Sequence, residues 1–285
     1  MSYLRHWKLL RSPFSISRNG RGMFTGGTIE EAIARCEFLI GQNKQLGLIL
    51  GPSGVGKTVF VEHFCRSRNP QNPREGLYRV DLRCADAASI PSRILSGLGL
   101  DEDAQDSRLH GSHIGWSRIH DHLFARSAIG HRTVLLLDNV YDVAEEVFQA
   151  ISQLWSSRTH WSMLLTVDDE AIVDLPRWIL DQCELKIDLP RWDLGQTAEY
   201  FDFAISQAGS GEDIFDGQAI TRIQELSDGI PRKITQIAEL ALVAGAVRKS
   251  PRVSADLVDQ VCDEFTVSVG GKFPAIWADQ TLNAG

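Results

Sequence analysis

Five short apolar runs mark the first two thirds of the chain: Leu46–Leu50 (LGLIL), Leu77–Arg83 (LYRVDLR), Thr133–Asp138 (TVLLLD), Trp161–Val167 (WSMLLTV) and Cys183–Leu189 (CELKIDL). Each has strand length. LYRVDLR alternates between apolar and polar positions, whereas TVLLLD is continuous, the pattern of a strand buried on both faces. Between the runs, apolar residues recur at helical spacing. Ile33, Cys36 and Ile40 share one face of a segment over 29–41, and Thr28 with Glu31 reads as the capping box that opens it. Further helices are expected over 57–67, 90–98, 116–128, 144–156 and 172–180. Strands that alternate with helices predict an α/β fold, a parallel sheet covered by helices on both faces.

After Pro190 the pattern becomes helical only, with segments over 196–207, 216–227, 232–247 and 254–265 punctuated by Gly209, Gly211, Gly229 and Pro251. The expected organisation is a core over 1–190, a small helical domain over 191–265 and a tail over 266–285. Residues 1–28 carry no periodic pattern and are expected to be irregular.

Composition changes this picture only at its edges. The chain has 285 residues, 43% of them hydrophobic and 23% charged, which is ordinary for a globular protein. Its formal net charge of −8 argues against a general nucleic-acid coat. It contains no apolar run long enough to span a membrane and no secretory leader, so no membrane insertion is expected. Five scattered cysteines without a CxxC pair are read as reduced thiols, which points to the cytoplasm.

The sharpest chemical signal is GPSGVGKT: Gly51, Pro52, Ser53, Gly54, Val55, Gly56, Lys57 and Thr58. It matches G-x-x-x-x-G-K-[ST] between a buried strand and a helix, the context in which this motif binds phosphate. The glycines turn backbone N–H groups toward phosphate oxygens, and the helix adds its positive end. Lys57 would set a point charge on the β- and γ-phosphates, and the Thr58 hydroxyl would coordinate Mg²⁺. Asp138 ends the buried run LLLD and would hold Mg²⁺ through its water shell. The strand over 77–83 intervenes in chain order between the two site strands, which are expected to be neighbours in the sheet. The fold class is thus a P-loop NTPase three-layer αβα parallel sheet with a C-terminal helical lid domain.

With both motifs and the helical domain placed, residues 3–265 resemble an AAA+ ATPase, in the branch of general secretion pathway A-type and transposition-helper ATPases. The opening Tyr3-Leu4-Arg5-His6-Trp7 with Pro13-Phe14, the segment from Trp192 to Tyr200, and Gly229-Ile230-Pro231-Arg232 carry the branch resemblance. The resemblance implies ATP and Mg²⁺ as cofactors and a homo-oligomer. It implies that Arg232 reaches from the lid to the γ-phosphate. It also implies a second polar sensor, Thr166 or alternatively Asp168. Arg177, with Arg158 second, is the candidate arginine that completes a neighbouring subunit's site. Trp7, with Pro13 and Phe14, is expected either in core packing or against the nucleotide base.

One position departs from the pattern. Many relatives carry Glu directly after the acidic strand end, to activate the attacking water, and this chain has Asn139. An amide orients water but takes no proton from it. Asp142, Glu145 and Glu146 are the nearby carboxylates in sequence. Three readings therefore compete. One is an ATPase with slow hydrolysis that drives a conformational or assembly switch. The second is an ATP-gated recruitment module without hydrolysis, serving an unidentified protein partner. The third is an ATP-dependent DNA-binding helper of the transposition type.

Overall fold

The computed structural model describes residues 3–14, 23–68, 74–100, 112–140, 143–156, 161–211 and 213–267. The chain divides into two compact units, one of Ser17–Pro190 and one of Met1–Ile16 with Arg191–Gly285.

The first unit is built on five strands: β1 (Leu46–Gly51), β2 (Glu75–Asp81), β3 (Arg132–Asp138), β4 (Trp161–Asp168) and β5 (Leu185–Asp188). Their order is β2-β3-β4-β1-β5 and every pairing is parallel. β1 and β3 are not neighbours, contrary to the sequence expectation: β4 lies between them. Hydrophobic patterning specifies which residues are buried on a strand, but not which strand it pairs with.

Alternation along the strands sends side chains to two separate cores. Ile49, Val134, Leu136, Leu164 and Ile187 pack with residues of α2 (Gly27–Gly41) and α3 (Lys57–Arg68). Leu48, Leu135, Leu137, Met163 and Leu165 pack on the opposite side. There they meet α4 (Ile90–Gly97), α5 (Ser112–Ala128), α6 (Glu145–Ser156) and α7 (Arg177–Gln182). A strand covered on both faces has no polar face to present, which is why these runs read as continuous apolar segments.

Two local expectations are corrected. α2 begins at Gly27 with Gly26 as its N-cap and no side-chain cap bond, so Thr28 and Glu31 do not form the capping box. Thr28 already lies inside the first turn, where its hydroxyl no longer faces the free N–H groups ahead of it. The single helix expected over 172–180 is a 3₁₀ segment, Asp169–Asp174, followed by α7. Pro176 separates them, because a proline offers no N–H and pushes Leu175 before it into extended backbone (ψ 137°).

The second unit contains α1 (Tyr3–His6), α8 (Leu194–Gln207), α9 (Gly217–Ser227), α10 (Pro231–Val247) and α11 (Ala255–Val267). α8 opens with a true capping box, Asp193 and Gln196 each accepting the other's backbone N–H. Within the opening segment expected to be irregular, residues 3–14 are ordered by this unit. Trp7, Leu9 and Phe14 are buried in the helical core, and Trp7 Nε1 donates to the Leu242 carbonyl at 2.9 Å. Phe14 sits among Phe201 and Phe215 with ring centroids 5.1 and 5.8 Å away. The Trp7 and Phe14 rings are thus committed to core packing, the first of the two roles considered for them. Most of the expected tail lies outside the described residues.

Candidate active site

The site grows from the carboxyl ends of the central strands, where open α/β sheets bind ligands. β1 ends at Gly51 and the loop to α3 follows. Gly54 and Gly56 adopt φ of 85° and 105°. A residue with a Cβ is strained at φ 105°, so Gly56 lets the backbone curl just before the helix starts at Lys57. The first turn of a helix has N–H groups without intrahelical acceptors, which makes the start of α3 suited to an anion. Lys57 is buried, 8% exposed, and its Nζ donates to the carbonyls of Gly51 (2.7 Å) and Pro52 (3.1 Å). It also forms an ion pair with Asp168 at the end of β4. Gly51 and Asp168 are register partners, so strand pairing itself brings this pair together.

A second cluster forms at the ends of β3, β4 and β2. Asp138 is fully buried. Its Oδ1 accepts the Thr166 hydroxyl at 2.6 Å and the Asn139 backbone N–H at 3.1 Å. Its Oδ2 accepts Arg79 Nε at 2.9 Å, and a second Arg79 nitrogen lies 2.8 Å from it. Thr166 Oγ1 also accepts the Asn139 N–H at 2.9 Å. Asn139 has φ 62°, a left-handed conformation in which a short polar side chain is favoured. Its Nδ2 donates to Asp81 Oδ1 at 2.8 Å. Arg79 extends the network to Glu62 on α3 (3.3 Å) and to Asp81 (3.5 Å). Burial works against the Arg79 charge, but the carboxylates of Asp138, Asp81 and Glu62 together outweigh it and hold the guanidinium pKa above its ordinary value. Asp81 is pushed up by partial burial. The Arg83 N–H, the Asn139 amide and the guanidinium groups of Arg79 and Arg83 together hold it below the usual carboxylate range.

The expected residues are thus partly assembled. Lys57 and Asp168 meet, and Asp138, Asn139 and Thr166 share one hydrogen-bond network. Thr58 lies in the first turn of α3. Arg177 is exposed at the first residue of α7. Arg232 is exposed in the first turn of α10, in the helical unit. The turn ahead of it is tightly specified: Gly229 has φ 67°, and a Cβ there would lie 2.2 Å from the Trp192 carbonyl oxygen. Asp142 and Arg158 lie outside the described residues. Sequence reasoning missed Arg79 and Asp81. Their i, i+2 spacing on an alternating strand was the available signal, since it puts both on one side of β2.

The donor set suits a hard cation. The hydroxyl of Thr58 and the carboxylate of Asp138 are oxygen ligands of the type Mg²⁺ takes. When bound, Mg²⁺ would supply charge neutralisation for a phosphate ligand.

Residues 40–172 match the family model described as AAA domain. This stretch resembles an AAA domain. The curated General secretion pathway protein A of Aeromonas hydrophila is 27% identical over 260 residues, which make up 88% of this chain and 46% of that protein. The chain therefore spans about half the length of that relative. Among solved structures, Cdc6p from Pyrobaculum aerophilum aligns with TM-score 0.69 and 14% identity, over 89% of this chain and 70% of that one. The Drosophila ORC structure bound to DNA aligns with TM-score 0.67 and 15% identity, over 91% of this chain and 65% of that one. At these identities the solved structures establish the fold: a P-loop NTPase αβα sheet with a helical C-terminal region.

The cysteines near the AAA site give a direct check on the packing. Burial pushes the Cys65 thiol up to about 12, with Arg79 opposing and Glu62 and Asp138 reinforcing. Cys36 is fully buried. Cys84 is exposed just beyond β2. Alkylation at pH 8 is therefore expected to label Cys84 while the folded chain protects Cys36 and Cys65, as read by peptide mass mapping. Early labelling of Cys36 or Cys65 would contradict the packing of α2 on α3.

Proposed function

We propose that the chain is an ATP·Mg²⁺-binding ATPase of the cytoplasm whose slow hydrolysis drives a conformational or assembly switch. The observation that carries this reading is the row at the sheet's carboxyl edge: a buried Lys57 at the mouth of a glycine loop, beside a buried Asp138 held by Thr166. In this reading the loop from Gly51 to Thr58 cradles the phosphates, and Lys57 neutralises the β- and γ-phosphates. Thr58 and Asp138 hold the metal, and Thr166 or Asp168 senses the phosphate state. Arg232 reports the γ-phosphate to the helical unit. Arg177 serves the site of a neighbouring copy in a homo-oligomer.

A second reading, ATP-gated recruitment of a protein partner without hydrolysis, is favoured by Asn139, which supplies no proton acceptor. A third, DNA binding as an ATP-dependent helper, draws on the fold shared with an ORC solved on DNA, against a net charge of −8. One experiment separates the three: phosphate release per chain against protein concentration, with and without duplex DNA, alongside ATP binding by calorimetry. The ATPase reading expects release above a protein-free blank, rising per chain with concentration. Binding without release supports recruitment. Release or retention that depends on DNA and weakens steeply with salt supports the helper. Absence of ATP binding removes all three.

A further inference from the structure

Asn139 stands where a carboxylate would be expected, but a carboxylate is not missing from its surroundings. Asp81 is the register partner of Asp138 on the β2–β3 ladder, and the Asn139 amide reaches across to it. We propose that Asp81 and Asn139 act as one water-orienting pair, in which Asp81 is the positioning residue that fixes which end of the Asn139 carboxamide is left to face the attacking water. The proposal rests on the ATPase reading above and deepens it.

A carboxamide has an accepting end and a donating end of nearly equal size. Packing alone does not choose between them. An ionised carboxylate only accepts, so Asp81 must take the Nδ2 hydrogens. The groups that keep Asp81 ionised are the Arg83 backbone N–H at 3.0 Å, Asn139 itself and the guanidinium groups of Arg79 and Arg83. Asn139 is only 6% exposed. A flipped amide would set its carbonyl oxygen against the Asp81 oxygen, two acceptors without a proton between them. The carbonyl end is thereby left free of Asp81.

That polarity is the one hydrolysis needs. Water attacks phosphorus with a lone pair, so its hydrogens must be given to acceptors. A carbonyl oxygen accepts one and aims the lone pair; an NH₂ group would donate into the lone pair and blunt it. The amide keeps no proton. As the water oxygen bonds to the γ-phosphorus, the bond from phosphorus to the bridging oxygen breaks with its electron pair going to ADP. The water proton passes to a γ-phosphate oxygen, and the products are ADP and inorganic phosphate. The left-handed backbone at residue 139 fits the same account, because Asn and Asp occupy that conformation more readily than Glu.

The test exchanges the two groups. D81N removes the constraint on the amide, and kcat is expected to fall about tenfold while ATP affinity stays within about twofold, an interaction felt only in the transition state. D81N/N139D restores one carboxylate and one amide in swapped positions with unchanged volumes, and kcat should return to within about threefold of the parent chain. A purely structural role for Asp81 would not be rescued by the swap. The second readout needs no turnover: the side-chain ¹⁵N–¹H₂ resonances of Asn139, identified by their loss in N139D, should move in D81N. A parent chain that turns over equally with D81N, a swap no faster than D81N, or Asn139 resonances unmoved by D81N would each overturn the proposal alone. A parent chain no faster than Lys57→Ala would instead sink the ATPase reading, and the water-orienting role with it.

Discussion

Lys57→Ala is expected to lower single-turnover phosphate release by at least about a hundredfold, the scale seen when one preorganised group facing the developing charge is removed. The side chain is not a flexible surface lysine that finds phosphate by chance. Its Nζ is anchored by the carbonyls of Gly51 and Pro52 and by Asp168, and only 8% of the residue is exposed. The ammonium therefore waits at the mouth of the loop with its geometry set in advance. Phosphate oxygens would compete with Asp168 for that charge and would not need to order it. Removing the side chain should cost the fold less than it costs the chemistry. Asp168 is partly open, at 17% exposure, so water can replace the lost partner, and a stability loss of about 1 kcal/mol is expected. Lys57→Arg should fail nearly as badly, because a planar fork cannot occupy a socket built around a compact ammonium. Calorimetric ATP binding and phosphate release on the same preparations check this. If Lys57→Ala releases phosphate as fast as the parent chain, this loop is not where the nucleotide reacts.

The sheet and the loop were legible because burial on both faces leaves a strong mark on a sequence. TVLLLD has almost no polar position, and WSMLLTV is buried on both sides, which a strand sandwiched between helices tolerates. The glycine loop was legible because the backbone it requires excludes most residues. Other features left weaker marks. α1 has four residues and cannot show a helical period, so the opening residues read as irregular although Trp7 and Phe14 are core. The insertion of β4 between β1 and β3 is a pairing choice, and pairing is decided by long-range packing that no local pattern encodes. The Asp138 network was half visible. The carboxylate stood out at its strand end, while Arg79 and Asp81 looked like the outward positions of an alternating strand. What turns them toward Asp138 is register: β2 and β3 end together, so Asp81 lies directly opposite Asp138.

That same register predicts the second large effect. Asp138→Ala should cost about 3 kcal/mol of stability and also abolish the dependence of nucleotide affinity on Mg²⁺. The stability term follows from what the carboxylate holds. The Thr166 hydroxyl and the Asn139 N–H lose a buried acceptor, and Arg79 keeps only longer contacts to Glu62 at 3.3 Å and Asp81 at 3.5 Å. Arg79 is 26% exposed, so part of its charge can rehydrate, which puts the loss at the lower end for a broken buried pair. The chemical term is separable. Replacing both partners, Arg79→Met with Asp138→Ala, removes the stranded charge together with the carboxylate, and more than half of the lost stability should return. The metal term should not return with it, because the carboxylate ligand has not been restored. Thermal melts and nucleotide titrations with Mg²⁺ or with a chelator read the two terms independently. Stability recovered in the double variant without metal dependence would assign Arg79 to the fold and Asp138 to both the fold and the metal. If affinity still depends on Mg²⁺ after Asp138→Ala, the metal is held elsewhere, and the buried carboxylate is there for Arg79 alone.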